Sequence, residues 1–462
     1  MPWRENEGFV RIMNSKNMKL LLIGLPLLWA SGTLMAQDKR WSLQECLDYA
    51  LENNIQLKEK AVTTASSKED VLQQKSALFP SVSFSTSQSM NYRPFSKQTT
   101  SLEGGTMTFN TNAVSYNGSY GINAQWTVWN GGRNRLNIKD AELTHQQNEL
   151  AETQQANSIQ EQVARLYVQI LYENEAIRVC QEILKASEMQ VERAKEMVAV
   201  GSLAKVEQVQ LEAQVAQDRY SLISAQSQLA DYTLQLKQLL EIHDGEAFLI
   251  RPLDAEDSHV TAPLASQEEI YQYALENRPE IKNMKLGIER SKVSLSSARA
   301  GYMPTISLNG GLGTSNASAQ VDGFGVQVKN NLAYSMGLSV SVPIYDNRAA
   351  RTNIRKAKYS RESAELQLQE AQKQLYSTIE SYFLDATNSQ QQYLYAKKNV
   401  ESMQESYNLT SEQFHLGLKN IVELTTGKNN LLQAQQQLLE SKYNALYNIA
   451  MLNFYHGKNI SL

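Results

Sequence analysis

No proline falls between residues 95 and 251, or between 344 and 462. Glycine is nearly as scarce there: Gly201 stands alone between Arg133 and Asp244, and none occurs from Arg348 to Leu416 before Gly417 arrives. Residues that break helices are thus missing from two long stretches where an unbroken helix needs them missing. The apolar pattern agrees. Ile159, Val163, Leu166, Ile170, Ile177, Cys180, Leu184, Val191, Ala194 and Val198 recur in alternating steps of four and three, with polar residues in that register only at 173 and 187. This 3.5-residue period is the sign of a coiled coil. Adding 216 to each position gives a softer series in the same register, from Leu375 and Ile379 to Phe414. A helix over 133–200 would be about 100 Å long at 1.5 Å per residue. It needs an antiparallel return, over about 203–242, turning at Gly201, where glycine suits a left-handed helix terminator. Gly417 plays the same part in the second half.

The chain is a tandem repeat. SLQECLDYALENNIQLK (42–58) and SQEEIYQYALENRPEIK (266–282) share eight of seventeen residues at an offset of 224, which also places Pro80 on Pro304. From Trp129/Tyr345 onward the offset is 216, pairing Arg135 with Arg351, Gly201 with Gly417 and Val206-Glu207 with Val422-Glu423. Duplication accounts for this. The change of eight falls between Pro80 and Trp129 and marks a tolerant loop.

Between the helices the period becomes two. Even positions carry Val82, Phe84, Met90 and Tyr92, then Val114, Tyr116, Tyr120, Ile122, Trp126 and Val128, then Ile306, Leu308 and Leu312, and finally Tyr334, Met336, Leu338, Val340, Val342 and Ile344. Odd positions carry Ser, Asn, Gln, Gly and Thr, without charges. An apolar face and an uncharged polar face on long strands, with aromatics near the run ends, is the pattern of transmembrane β-barrel strands. Val82, Phe84, Tyr120, Ile122, Trp126, Leu338 and Val340 are the expected lipid-facing residues. Residues 93–112 and 314–330, rich in Gly, Asn, Ser and Thr, read as loops. Four strands cannot close a barrel, and an open edge is not tolerated in lipid. Two copies would give eight strands and three would give twelve.

The first 36 residues read as an address. Lys16 and Lys19 precede the apolar run 20–29, and Ser31–Asp38 offers a cleavage site near Ala36. Residues 1–17 form an overlong start, with Met18 a plausible initiator. Other classes of function find no support. Lys and Arg number 44 against 48 Asp and Glu, a net charge of −4, so nothing draws nucleic acid. Mean hydropathy is −0.44, too polar for a bundle of membrane helices. The two cysteines, Cys46 and Cys180, form no CxxC, the five histidines form no HExxH, and no GxSxG, GxGxxG or phosphate loop is present. No enzyme, cofactor or metal site is expected.

The expected organisation is mostly α with a β-barrel portion: signal peptide 1–36; a first repeat 37–243 with helix 42–78, strands 80–92 and 113–129, and hairpin 133–242; a linker 244–265; and a second repeat 266–462 with helix 266–301, strands 304–313 and 331–345, hairpin 348–455 and a tail. With the tips Val200-Gly201-Ser202-Leu203 and Leu416-Gly417-Leu418-Lys419-Asn420-Ile421-Val422-Glu423-Leu424, the YALENN/YALENR segments and the late AQQQLLESKYNALYNIAML run, the chain resembles TolC-type outer-membrane efflux channels over about 37–462.

The resemblance implies a homotrimer in the outer membrane of a Gram-negative bacterium. It would have a twelve-stranded β-barrel in lipid, a periplasmic tunnel of helices, and an equatorial girdle from the linker and the C-terminus. The implied function is a passive exit duct of a tripartite efflux or type I secretion system, opened by a periplasmic adaptor and an inner-membrane transporter, proton- or ATP-driven. Gly201, Ser202, Leu203, Gly417 and Leu418 would be the adaptor-docking tip. By resemblance, acids six residues past each tip glycine, Glu207 and Glu423, ring the closed end, and Lys419 supplies a basic partner. Thr426 stands where the family has a second acid. Phe414 stands where it has a tethering tyrosine, so closure would lean on Lys419–Glu207. An alternative is a periplasmic coiled-coil adaptor, but that would need one hairpin beside a lipoyl-like domain rather than two hairpins and barrel-type strands. A simple porin would lack the long helices. The cargo is not legible.

Overall fold

The computed structural model describes residues 40–462 except 95–96, 103–104, 111–113, 244–247, 254–256, 319 and 321. The signal peptide lies outside the described residues. In chain order the elements are β1 (Arg40–Trp41), α1 (Leu43–Asn53), α2 (Ile55–Ser76), β2 (Ser81–Tyr92), β3 (Lys97–Leu102), β4 (Gly105–Asn110), β5 (Val114–Trp129), α3 (Arg133–Ala199), α4 (Lys205–Leu239), β6 (Leu249–Ile250), α5 (Asp257–Val260), α6 (Gln267–Asn277), α7 (Pro279–Arg299), β7 (Thr305–Ala317), α8 (Phe324–Asn330), β8 (Ala333–Ser341), α9 (Ala349–His415) and α10 (Ile421–Tyr455).

Residues 42–78, expected as one helix, form two, and so do 266–301. The cause is local. The repeated S-x-x-E opens each first helix: Ser42 Oγ accepts from the Glu45 amide and Ser266 Oγ from the Glu269 amide. The break comes at Asn54 and at its repeat mate Arg278. Asn54 is extended and its Oδ1 accepts from the Leu57 amide, which starts α2. Arg278 precedes Pro279, which disfavours helix at the residue before it. Both hinge residues then clasp the far end of their own hairpin. The Asn54 amide donates to Leu239 O at the end of α4. The Arg278 guanidinium lies 4.2 Å from the centre of the Tyr455 ring at the end of α10.

β2, β5, β7 and β8 form an antiparallel sheet in that order. Its register pairs even with even. Phe84 faces Ile122, Ile122 faces Leu312 and Leu312 faces Tyr334, while Trp126 faces Leu308 and Leu308 faces Leu338. The apolar residues therefore share one face. On the other, the Asn123 amide donates to Ser85 Oγ. The strand bounds differ from expectation at the second pair: β7 runs on to Ala317 and β8 stops at Ser341, before Pro343. The expected loops also carry structure. A two-stranded hairpin, β3–β4, occupies part of 93–112, and α8 ends the loop 314–330.

The main core lies where α1, the middle of α3, the end of α4 and α10 meet. It holds Leu47, Ile159, Val163, Ile170, Leu236, Leu446 and Met451. The described part of the linker wraps this level. β6 pairs with β1, and Ile250, Val260 and the C-terminal Ile460 join the core. α9 holds the linker with one stripe: Gln390 donates to Val260 O and Ala262 O, Tyr393 donates to Asp257, and Lys397 pairs with Asp257.

Candidate functional site

The two long helices turn alike at their tips. Gly201 and Gly417 sit at φ +76° and +74°, and an added Cβ would meet nothing at either, so backbone conformation alone demands glycine. Ser202 N donates to Met197 O and Leu418 N to Gln413 O, the six-to-one bond of a Schellman turn. The return helices start differently. Asn420 Oδ1 accepts from the Glu423 amide, whereas Ala204 at the matching place has no side chain to offer. Ser202 and Leu418 are exposed, Leu418 at 71%. Leu203 is half-buried and packs against the apolar cluster of the tip that holds Val191, Ala194, Leu211, Phe414, Ile421 and Leu424.

Of the expected gate residues, Lys419 and Glu423 meet within one copy. Lys419 bonds Glu423 one turn ahead on its own helix, and its ammonium holds the Glu423 carboxyl below the usual range. Among the described residues no ion pair joins Lys419 to Glu207. Phe414 is buried in the tip cluster, where its ring ties α9 to α3 and α4 by packing in place of a hydroxyl. Beside it Arg193 Nη1 donates to His415 Nε2 at 3.0 Å, and burial with that cation pushes the imidazole below its ordinary value.

The strongest polar contact between the hairpins lies further from the tip and was not anticipated. Lys428 of α10, 2% exposed, donates to Asp218 Oδ2 of α4 (2.5 Å) and Ser187 Oγ of α3 (3.0 Å). Ser187 Oγ donates to the same carboxylate oxygen at 2.6 Å, and Gln214 Nε2 donates to the other at 2.9 Å. Asp218 is 5% exposed. Burial pushes the Lys428 ammonium down and Asp218 pulls it back, the net direction being down. A second polar link runs from Gln190 Nε2 to Tyr407 Oη at 2.7 Å, joining α3 to α9. A signal for this clamp did exist in the sequence. Ser187 is one of the two polar interruptions of the heptad register. Asp218 follows Leu211 and Val215 at core spacing, and Lys428 stands between Leu424 and Leu431.

At the other end, Val82, Phe84, Leu338 and Val340 are exposed on the even face, Leu338 at 67%, and Ile122 and Trp126 share that face. Trp126 Nε1 donates to Leu78 O where the sheet meets the helices. Tyr120 lies on the same face but is not open along its whole ring, because Phe324 of α8 meets it edge-on at 6.3 Å. An uncovered apolar sheet joined to paired helices some 100 Å long is the outline of a membrane-seated duct.

Residues 46–241 and 270–458 match the family described as outer membrane efflux protein. The chain belongs to this family. The two matched segments hold most of the two repeats and leave out the linker. Outer membrane protein TolC of Vibrio cholerae serotype O1 is 20% identical over 430 residues, covering 92% of each chain. TolC of Escherichia coli K12 is 26% identical over 170 residues, only 36% of this chain and 34% of that one. The probable efflux pump outer membrane protein TtgC of Pseudomonas putida is 23% identical over 430 residues, 90% of this chain and 84% of its own. Among solved structures, CusC superposes with a TM-score of 0.76 at 17% identity, covering 90% of this chain and 92% of that one. VceC from Vibrio cholerae gives 0.71 at 15% identity, covering 91% and 97%. The fold is that of the outer-membrane channels, a helical barrel continued by a β-barrel. As a member of the efflux family the chain is an outer-membrane channel of the efflux and secretion class, its helices forming the periplasmic tunnel.

Proposed function

We propose that three copies of this chain form a passive exit duct of a tripartite efflux or type I secretion system. One observation carries the reading: a four-stranded sheet with an uncovered apolar face and two unpaired edges, β2 and β8, grows out of a set of long helices. Pairing β8 of one copy with β2 of the next removes both edges, and three copies bring twelve strands. The lateral helices carry matching exposed apolar residues, Tyr220 and Ile223 on α4 and Leu394 and Tyr395 on α9, which neighbouring copies would cover. The docking surface for a periplasmic adaptor is the pair of tips, where Val200, Val206, Leu416, Leu418 and Val422 stand exposed around Gly201 and Gly417. The inner-membrane transporter would supply the energy.

Closure in this reading has two layers. Within each copy, Ser187–Asp218–Lys428 and the Phe414 cluster hold α9–α10 against α3–α4. Between copies, Glu207 and the Lys419–Glu423 pair line the narrowest ring, where acids focus cations. The detergent-extracted protein is expected to migrate as a compact trimer until boiled, and a monodisperse monomer by light scattering would sink the reading. In planar bilayers Lys419→Ala or Glu207→Ala should raise single-channel conductance with trimer stability unchanged, because an exposed ion pair is worth only about 0–1 kcal/mol. The double variant should open little further than either single one. Additive opening would show that the two act separately.

A further inference from the structure

Among the described residues α8 has no counterpart in the first repeat, and its position on the sheet is informative. Following the register away from the helices, the even face is apolar at the rows Trp126–Leu308–Leu338 and Phe84–Ile122–Leu312–Tyr334. It turns polar at Thr86–Tyr120–Thr314 and Gln88–Gly118–Asn316, and Met90–Tyr116 and Tyr92–Val114 bring apolar side chains back at the far end. α8 is strapped to the face at this polar band. Thr314 Oγ1 donates to Val328 O at 2.6 Å, and the Phe324 ring meets Tyr120. Gln327 is buried, accepting from Ala317 N and donating to Asp322 O. Asn331 Nδ2 donates to Ser315 O at 2.7 Å. These bonds fix the helix in place. Yet Phe324 stays 59% exposed and Val326 50%, with Leu332 also open and Lys329 the only charged residue of the helix.

We propose that α8 lies outside the barrel wall and rests on the outer leaflet. Phe324, Val326 and Leu332 enter the boundary between acyl chains and headgroups, and Lys329 sits at the level of the lipid phosphates. The occupant is the lipid surface itself, because α8 continues, on the same face, the apolar band that lipid covers. A short helix that exposes apolar side chains beside a lysine suits that boundary. The odd, hydroxyl- and amide-lined face carries none of its contacts. α8 is therefore a collar on the rim and leaves the mouth of the duct open. The inference rests on the even face being the lipid-facing one.

The test uses the full chain reconstituted in vesicles of phosphatidylethanolamine and phosphatidylglycerol. Val326→Cys, Leu332→Cys, Leu338→Cys and Ser339→Cys are each labelled with bimane; both native cysteines are buried. Quenching by lipids spin-labelled near the headgroup is compared with quenching by aqueous iodide. The labels at 326 and 332 should lose intensity to the shallow spin-labelled lipid and resist iodide. The label at 338 should respond to lipid spin-labelled deep in the acyl chain, and the label at 339 to iodide alone. If 338 responds to lipid while 326 and 332 respond to iodide only, the collar is overturned and the barrel reading survives. If 338 is blind to lipid, the assigned faces fail and the collar falls with them.

Discussion

The two hairpins come from one ancestral segment and have kept identical dimensions: α3 and α9 have 67 residues each, α4 and α10 have 35 each. Their burial has nevertheless been exchanged. In the first hairpin the long helix is the inner one, with Ile159, Val163, Leu166, Ile170 and Val191 buried, while α4 buries only Gln208, Leu211, Asp218 and Leu236. In the second the return helix is inner, with Leu424, Leu431, Tyr443, Leu446 and Met451 buried, and α9 is largely open. Duplication preserved the backbone because helix length and turn geometry are set locally. Side-chain partners diverged because they depend on what each copy came to face. The clamp shows this best. The repeat mates of Ser187, Asp218 and Lys428 are Met403, Ala434 and Glu212, so the polar cluster exists once in the chain and not twice.

Breaking the clamp should separate the hairpins most. Lys428→Ala leaves Asp218 a buried unpaired charge and is expected to cost about 3–5 kcal/mol in chemical unfolding of the solubilised protein. Glu212→Ala, at the exposed mate, should cost almost nothing. Replacing the pair together, Lys428→Met with Asp218→Leu, should be close to neutral in stability, since apolar replacements remove both desolvation penalties. A large loss in the double variant would mean that packing, not charge, decides this site.

On the sheets the two halves should instead behave alike. Leu338→Arg and Ile122→Arg, each seven residues before the repeat-matched Tyr345 and Trp129, are expected to cost about 2–4 kcal/mol in refolding into lipid. Ser339→Arg should fold and alter conductance. A smaller contrast belongs to the caps. Asn420→Ala should lose about 1 kcal/mol and Ala204→Asn should gain a fraction of that, measured by thermal unfolding. The smallest effect is one of pH. His415 favours its neutral form in the folded tip, so the tip keeps its full stability above the ordinary imidazole value of 6.5 and loses it as pH falls below that and protons bind the ring beside Arg193. Conductance should therefore rise on acidification in the native channel and much less in His415→Gln.

The sequence exposed what depends on period and on the absence of breakers. Even-numbered apolar residues placed the sheet face, and Gly201 and Gly417 placed the turns. The hinges were harder. Asn54 is polar but tolerable in a helix, and the Leu239 carbonyl that its amide reaches lies 185 residues away. Pro279 was in plain view, but a proline at the first turn can open a helix as readily as end one. α8 was hidden by its shortness and by the glycines at its start, Gly323 and Gly325. The Lys419–Glu423 bond within one copy follows from helix spacing, because a neighbour at i+4 is easily reached. The clamp needed three helices at once: Ser187 lies 31 residues from Asp218 and 241 from Lys428, and no single-helix pattern links them.

The matched lengths of α3 and α9 make the chain a ruler. Both tips must arrive at one plane, and every contact the hairpins make, from Asn54 and Arg278 down to Phe414, is phased by helical rotation. One inserted residue would turn all that follows by about 100° and carry Ser187 away from Lys428. Only whole heptads, added to all four long helices together, would lengthen the duct and keep its faces, in steps of about 10 Å. The depth of compartment such a channel can bridge is therefore quantised, and a lineage cannot drift gradually from one depth to the next.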